Sequence, residues 1–184
     1  MRIIAGEMRS RRLKAPEGMD TRPTADRVKE AMFSILLRNL PGARVLDLYA
    51  GSGALSLEAI SRGAASAVLA DCSPKACKII AENIETLGCQ NRARLLRQGD
   101  SAALTTLKNE GAQFDLIFLD PPYRLDTSAV CARLEKDRIL AEGGLIVVEH
   151  AKETPPTPPD TLTLVDKREY GVTGLSFFRR TGEA

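Results

Sequence analysis

The 184-residue sequence contains no tryptophan, only one histidine and four cysteines. The cysteines form no Cys-x-x-Cys pair, and His150 alone cannot complete the Cys/His cluster of a structural zinc site. This scarcity excludes such a site and predicts a reduced protein without a bound metal. We interpret the cysteines as core or surface residues and assign His150 no catalytic role.

Long apolar runs are also missing. No uninterrupted run approaches the roughly 18 residues of a membrane span, and charges occupy the N-terminus where a signal peptide has its apolar region. The hydrophobic content of 43% is enough for one substantial core. We therefore expect one soluble domain in the cytoplasm without a membrane partner, and a monomer as the default for this size.

The sequence also lacks a large net charge, because 26 basic residues nearly balance 24 acidic ones. The distribution is uneven, however, since basic residues outnumber acidic ones before residue 41. Arg9, Arg11, Arg12 and Lys14 are candidates for binding the phosphates of a nucleic acid, with an affinity that falls steeply with salt. The alternative is an ordinary solvated hairpin.

From Ala43 onward, short β-branched or leucine-rich runs alternate with longer segments of helical period, a pattern typical of βαβ units. It predicts an α/β fold with a mostly parallel seven-stranded sheet and helices on both faces. The first five predicted strands are Arg44–Tyr49, Ala67–Asp71, Ala93–Arg97, Asp115–Asp120 and Gly144–Glu149. The predicted helices between them are Ala54–Arg62, Pro74–Leu87, Ser101–Asn109 and Thr127–Leu140.

The two ends of the chain follow other patterns. The proline-rich run Thr154–Pro159 predicts an irregular connection, and Thr161–Arg168 and Leu175–Arg180 then predict a C-terminal antiparallel hairpin. Near the N-terminus, a helix is expected over Thr24–Asn39. We divide the chain into a basic N-terminal extension, residues 1–23, expected to form a small hairpin that contacts nucleic acid through its basic side chains, and a larger domain, residues 24–184.

The stretch VLDLYAGSGALSLEA reads as a strand, a glycine turn and a helix. Gly51 and Gly53 let the backbone turn sharply and pass close to a ligand. A dinucleotide fingerprint would need a third glycine where Ser56 stands. Asp47 would repel a pyrophosphate but attract an ammonium group, which favours a cofactor that carries an amino acid over NAD.

S-adenosylmethionine has such an ammonium group, together with a ribose and an adenine. Asp71 ends the next predicted strand, where ribose hydroxyls are usually bound in this architecture. Asp100 is a candidate acceptor for the adenine amino group, with the Ser101 amide nearby. The alternative for these acids is that they only cap helices.

The apolar run FDLIFLDPPY ends in two prolines and a tyrosine. The Asp120 carboxylate and the Pro121 carbonyl can accept the two hydrogens of an exocyclic amine and turn its lone pair toward a methyl donor. Pro121 and Pro122 stiffen the turn, and Tyr123 can stack on a base. This strand end is therefore predicted to be catalytic.

The run Asp120-Pro121-Pro122-Tyr123 matches the [DN]PP[YF] signature of amino-group methyltransferases, and VLDLYAGSGALSLEAISRGA is similar to their cofactor motif. The opening RIIAGEMRSRRLKAPEGMDTRPTADRVKEAMFSIL resembles the RsmD family of bacterial 16S rRNA guanine-N2 methyltransferases. The resemblance runs from Arg2 through the ending YGVTGLSFFRR. It implies a Rossmann-like class I fold that transfers a methyl group from S-adenosylmethionine to the 2-amino group of one guanine in the small ribosomal subunit.

The resemblance also implies roles for single residues. Arg22 and Thr24, in the TRPT segment, would lie beside the cofactor and the RNA, and Ala50 belongs to the cofactor motif. Asp71 departs from the family, whose members commonly carry glutamate at this position.

Three alternatives stay open. The DPPY motif also occurs in adenine-N6 and cytosine-N4 enzymes, and a related asparagine form serves the methylation of protein glutamine. A third possibility is an assembly factor that binds ribosomal RNA without catalysis. The intact Asp47, Asp120 and Tyr123 argue against this last alternative, because binding alone requires none of them.

Overall fold

Helices and strands alternate along the computed structural model, which describes residues 1–15, 23–121 and 125–182, with only the main chain described for residues 23–26. The helices are α1 (Pro23–Ile35), α2 (Ala54–Ser61), α3 (Pro74–Leu87), α4 (Asp100–Asn109) and α5 (Ser128–Lys136). The strands are β1 (Arg44–Asp47), β2 (Ser66–Ala70), β3 (Ala93–Leu96), β4 (Phe114–Leu119), β5 (Leu140–Ala151), β6 (Leu162–Tyr170) and β7 (Thr173–Arg180).

The seven strands form one sheet in the order β3-β2-β1-β4-β5-β7-β6. The first five run parallel, whereas β7 pairs antiparallel with both β5 and β6. The chain therefore builds the sheet outward from β1 in one direction and then from β4 in the other. In such sheets ligands bind at the carboxyl ends of the strands beside this reversal, which here lies between β1 and β4.

Apolar side chains of the central strands point alternately to the two faces of the sheet. On one face, Phe118 packs in a cluster with Phe33 of α1 and Ile80 of α3. On the other face, Ile117 packs in a second cluster with residues of α4 and α5 such as Leu134. This two-sided burial explains why the strands are continuously hydrophobic, and it confirms the predicted fold class with helices on both faces.

Several element boundaries differ from those predicted. Helix α5 ends at Lys136 instead of Leu140, because Arg138 adopts a left-handed conformation with φ of 54° and leads the chain away from the helix. Strand β5 consequently begins at Leu140, which pairs with Phe114 before an irregularity in the register. The apolar residues near 140 therefore belong to the sheet.

Other helices and strands are shorter than predicted. The helix expected over Thr24–Asn39 is regular only to Ile35 and continues as a 3-10 turn to Arg38. Strands β1, β2 and β4 end at Asp47, Ala70 and Leu119, so that the acids predicted at two of these strand ends, Asp71 and Asp120, follow the strands directly. The acids thus begin the turns that lead out of the sheet.

The N-terminal segment, residues 1–15, is held against helix α2 by buried polar groups. Glu58, fully buried, accepts hydrogen bonds from the amides of Ile4 (2.8 Å) and Ala5 (3.0 Å) and pairs with Arg62 (2.7 Å). The Ser61 hydroxyl donates to the Ala5 carbonyl and accepts from the Met8 amide. The segment is therefore anchored to the domain, and the predicted boundary at residue 23 stays a prediction.

The antiparallel arrangement expected for this segment consists of a single bridge between Arg2 and Arg12. Ile3, Met8 and Leu13 are buried in the same cluster as the side chains of α1 and α2. The segment between 16 and 22, which leads into α1, lies outside the described residues. None of the helices in the described part of the chain is long and apolar enough to cross a membrane.

Gly6 is expected to be indispensable for this anchoring. A Cβ atom at Gly6 would lie 1.8 Å from the Ser61 carbonyl oxygen, in a backbone with φ of +86°. We expect Gly6→Ala to displace the segment and lower the free energy of unfolding by about 3–5 kcal/mol. Denaturant unfolding measures this loss.

Gly42→Ala is the matched control, because φ is +74° and nothing lies within 4 Å of the added Cβ. It should show only the left-handed strain, about 1–2 kcal/mol. Equal losses in the two variants would contradict the proposed steric role of Gly6.

Candidate active site

Acidic side chains lie at or just beyond the carboxyl ends of four neighbouring parallel strands. Asp47 ends β1 and is in register with Leu69 of β2 and Phe118 of β4. Asp71 and Asp120 come directly after β2 and β4, and Asp100 begins α4 beyond β3. The carboxylates of Asp71 and Asp120 both raise the pKa of Asp47. The structure therefore brings these predicted site residues to one crevice.

Asp47 is the most buried of these acids, with 1% of its surface exposed. Its Oδ2 accepts a hydrogen bond from the Ser56 hydroxyl at 3.1 Å. Its Oδ1 is buried without a hydrogen-bond partner among the described residues. Burial raises the pKa of Asp47 to about 7 despite the opposing hydrogen bond from Ser56. An unpartnered acceptor of this kind fits a cationic ligand group, such as an ammonium.

Ser56 has a role that the sequence prediction missed. In the sequence, Ser56 stood out only as the residue that breaks a three-glycine fingerprint. In the structure it is fully buried, and its hydroxyl donates a hydrogen bond to one Asp47 oxygen. A small hydroxyl within the first turn of the helix after the glycines was the available signal. The hydrogen bond leaves the other Asp47 oxygen for a ligand.

The two glycines of the loop serve different purposes. Gly51 has φ of 56° and its amide donates to Asp71 Oδ2 at 2.9 Å. An added Cβ there would meet only the Tyr49 carbonyl, 4.0 Å away, so the loop is open at this point. At Gly53 the Cβ would lie 2.9 Å from Leu69 Cδ2. Gly51 therefore permits the approach of a ligand, whereas Gly53 permits packing against β2.

Asn83, a buried amide on α3, fixes the loop and was also missed. Its Nδ2 donates to the carbonyls of Ser52 (2.9 Å) and Lys14 (3.0 Å), and its Oδ1 accepts from the Lys14 amide (2.8 Å). The sequence signal was one amide between the apolar residues Ile80 and Ile84. The N-terminal segment and the glycine loop are thus joined through one side chain.

The acids beyond β2 and β3 also have internal partners. Asp71 Oδ1 accepts from the Ser73 amide at 2.8 Å, and Asp100 accepts from the Tyr49 hydroxyl and the Ser101 amide. Neither acid caps a helix, because the N-cap residues of α3 and α4 are Ser73 and Gly99. Each carboxylate oxygen has two lone-pair sites, so these bonds leave capacity for a ligand.

Two further residues that were predicted to bind the cofactor, Ser101 and Ala50, lie beside these acids. The Ser101 hydroxyl accepts a hydrogen bond from Arg133 at 2.9 Å. Ala50 is buried, and its amide donates to the Ala70 carbonyl. Ala50 therefore contributes to the shape of the loop through its backbone.

Asp120 lies across the crevice from Asp47, at the end of β4. Asp120 is exposed, yet the surrounding protein removes part of its solvent and raises the pKa of its carboxyl to about 6. Pro121 is buried beside it. Pro122 and Tyr123 lie outside the described residues, and so does Arg22; Thr24 lies in the first turn of α1 with only its main chain described.

A cavity of about 710 Å³ adjoins Pro121. This volume falls in the range of small-molecule sites. The cavity lies between the end of β5, the start of α5 and the proline run, which forms one wall. Besides Pro121, its lining includes Leu125, Thr127, Glu149, His150, Pro155 and Thr157.

His150 has internal partners in this wall. Its ring nitrogens lie 2.8 Å from the Ala151 carbonyl and 2.8 Å from the Ser176 hydroxyl. It therefore links β5 to β7, and its lack of a catalytic role stays a prediction.

The predicted RNA-binding residues divide into two groups. The Arg11 guanidinium donates to the Thr86 carbonyl, and Lys14 pairs with Glu82 at 2.9 Å. Arg9 and Arg12 are exposed, and neither forms an ion pair with another residue in the described ranges. These two arginines therefore remain the better candidates for phosphate contacts.

The sheet order, the glycine loop and the acids at the strand ends define a Rossmann-like, class I methyltransferase of the S-adenosylmethionine-dependent type. Residues 1–179 match the family described as conserved hypothetical protein 95. The chain belongs to this family, which is the RsmD family.

Relatives match over almost the whole chain. Ribosomal RNA small subunit methyltransferase D of Escherichia coli K12 is 35% identical over 185 residues, covering 100% of this chain and 91% of that protein. YlbH of Bacillus subtilis 168 is 38% identical over 185 residues, covering 99% and 100%. The solved structure of yhhF from Escherichia coli superposes with a TM-score of 0.85 at 33% identity, covering 100% and 98%.

Proposed function

We propose that the protein transfers a methyl group from S-adenosylmethionine to the 2-amino group of one guanine in the 16S RNA of the small ribosomal subunit. The observation that carries this proposal is the position of Asp120 and Pro121, across one crevice from the buried, unpartnered oxygen of Asp47. The name of the Escherichia coli relative supports small-subunit RNA as the substrate class. Such a substrate is cytoplasmic.

The described residues fit the proposed cofactor. Asp47 would hold the ammonium group, the open loop at Gly51 would adjoin the ligand, and Asp71 would bind the ribose. Asp100 and Ser101 are proposed to contact the adenine. Arg22 and Thr24 remain proposed neighbours of the cofactor. When bound, S-adenosylmethionine supplies an electrophilic methyl group on a sulfonium centre.

Asp120 is proposed to act on the amine. The lone pair of an exocyclic amine is delocalised into the base, which makes the amine a poor nucleophile. The Asp120 carboxylate and the Pro121 carbonyl would each accept one of its hydrogens and so orient the lone pair. Asp120 also stabilises the positive charge that develops on nitrogen, and its raised pKa suits it to take up the proton that the amine loses. Tyr123 would stack on the base, and Pro122 would stiffen the turn.

Transfer of a labelled methyl group tests this function. The protein is incubated with methyl-labelled S-adenosylmethionine and either small subunits or bare 16S RNA from cells that lack the enzyme, and the labelled base is mapped by mass spectrometry. We expect one labelled guanine, modified at N2. Label on adenine N6, on cytosine N4 or on protein glutamine would establish an alternative substrate, and RNA binding without any label would indicate an assembly factor.

Exposed arginines of the N-terminal segment are proposed to bind RNA phosphates. We expect Arg9→Ala combined with Arg12→Ala to weaken RNA binding roughly 10- to 100-fold, because two cationic contacts are lost. The plot of log affinity against log salt should become shallower by about 1–2, since fewer counterions are released. Filter binding over a salt series measures both quantities.

The matched control removes two exposed basic residues on the opposite face of the sheet, Lys136 and Arg138, which lie at the end of α5 and just after it. This pair should leave the salt dependence almost unchanged. Equal effects from the two pairs would indicate a general effect of net charge and would argue against the N-terminal site.

A further inference from the structure

Glu149 lies near the end of β5, in step with Asp120 on the neighbouring strand. Val148 is in parallel register with Leu119, so Glu149 and Asp120 each follow one residue later. Neighbouring strands are about 4.8 Å apart. Burial raises the pKa of Glu149, and the Asp120 carboxylate raises it further, which shows that the two groups interact.

The surroundings of Glu149 resemble a site for a flat ring with one polar edge. Glu149 and Pro121 line the same cavity, together with Leu125, Pro155 and Pro156. These apolar side chains suit the faces of a base. The Glu149 carboxylate makes no hydrogen bond to any residue that the structure describes. It is a half-buried acceptor that lines the cavity and accepts no hydrogen bond from the part of the chain that the structure describes.

The three bases that carry an exocyclic amine differ in the ring atom beside it. Guanine presents the donor N1–H next to its 2-amino group. Adenine presents the acceptor N1 next to its 6-amino group, and cytosine presents the acceptor N3 next to its 4-amino group. A carboxylate beside the group that binds the amine therefore attracts guanine and repels the other two.

We propose that Glu149 determines specificity for guanine by accepting a hydrogen bond from N1–H while Asp120 and the Pro121 carbonyl hold the 2-amino group. The inference rests on the proposed methylation of an exocyclic amine and adds the residue that distinguishes guanine from adenine and cytosine. A base exposed from its stack is commonly read in this way, through its Watson–Crick edge.

The test replaces the target guanine by 2-aminopurine, which retains the 2-amino group but has an acceptor at N1. Small-subunit RNA with either base at the mapped position is methylated with labelled S-adenosylmethionine. The assay is run at about pH 8.5, where most of the Glu149 carboxylate is ionised and can only accept hydrogen bonds while guanine N1 still carries its proton. We expect the wild-type protein to prefer guanine roughly 100-fold in kcat/KM.

Two variants separate recognition from structural support. Glu149→Leu should lower kcat/KM for guanine roughly 10- to 100-fold while leaving that for 2-aminopurine within about threefold. Glu149→Gln, whose amide can donate to an acceptor at N1, should raise the activity on 2-aminopurine and reduce the preference at least about tenfold. Affinity for S-adenosylmethionine should stay unchanged in both variants.

Glu142→Gln, an exposed position near the other end of β5, serves as control and should keep the wild-type preference. Equal losses on both bases in Glu149→Leu, or an unchanged preference in Glu149→Gln, would overturn the role of Glu149 alone. If the wild-type protein transferred no methyl group to guanine N2, the proposed function and this inference would both be wrong.

Discussion

Asp120→Ala should lower kcat for methyl transfer about 10³-fold or more, because it removes the group proposed to orient the amine and to stabilise its developing charge. The affinity for S-adenosylmethionine should remain within about threefold of the wild-type value, since Asp120 is proposed to contact the substrate amine. Single-turnover transfer and equilibrium binding of the cofactor separate the two quantities. Loss of cofactor affinity together with activity would contradict the assignment.

Two further substitutions sharpen this result. Asp120→Asn keeps an acceptor oxygen for the amine but no negative charge, so its loss of kcat should be smaller than that of the alanine variant. Asp115→Ala removes an acid from the opposite end of the same strand, where it pairs with Arg44 at 3.1 Å. Asp115→Ala should leave kcat near the wild-type value. This result would show that the position of the acid at the crevice matters more than its charge on β4.

Asp47→Asn should abolish most of the affinity for S-adenosylmethionine while stabilising the ligand-free protein. The ammonium group would lose its buried counter-charge, which we expect to raise Kd about 100-fold. Isothermal titration calorimetry measures this loss. Unchanged affinity would show that Asp47 does not bind the ammonium group.

The stabilisation has a definite sign and pH range. Burial raises the pKa of Asp47 from 3.8 to about 7, so the folded protein holds this proton more tightly than the unfolded chain. The resulting contribution to stability is complete below pH 3.8 and declines as the pH rises to about 7. Above that pH the ionised, buried carboxylate lowers the free energy of unfolding by at most about 4 kcal/mol.

Asparagine does not titrate and can still accept from Ser56. The gain in unfolding free energy of Asp47→Asn over wild type should therefore grow between about pH 4 and pH 7 and then level off, as denaturant titrations at several pH values would show. Asp160→Asn, at an exposed position, is the control and should show no comparable rise. A constant gain at all pH values would contradict the buried-charge explanation.

The affinity for the cofactor should depend on the protonation of the same Asp47 carboxyl. A bound ammonium group favours the ionised form of Asp47, so binding should weaken as the pH falls below about 7. A site that destabilises the free protein yet binds a cation is a common compromise between stability and function.

Local signals were sufficient to predict the architecture. Apolar periodicity and the turn residues at Gly51, Gly53 and Pro121 lie within a few positions of the elements they define, and they predicted seven strands and the crevice at their carboxyl ends. The ends of single helices and strands were predicted less accurately. The residues near Leu140 satisfy either a helix or a strand, and pairing with Phe114 in β4 decides for the strand.

The sequence by itself determined the α/β fold, the glycine loop and the placement of acids at the strand ends, because these follow from patterns within short segments. Only the tertiary structure revealed that Glu58 anchors the N-terminal segment, that Asn83 joins that segment to the loop, and that Glu149 lines one cavity with Pro121 at the end of β4. Each depends on contacts between residues far apart in the chain, such as Glu58 and Ile4, 54 positions apart. Such contacts form only when the packed sheet brings the segments together, so no local pattern records them.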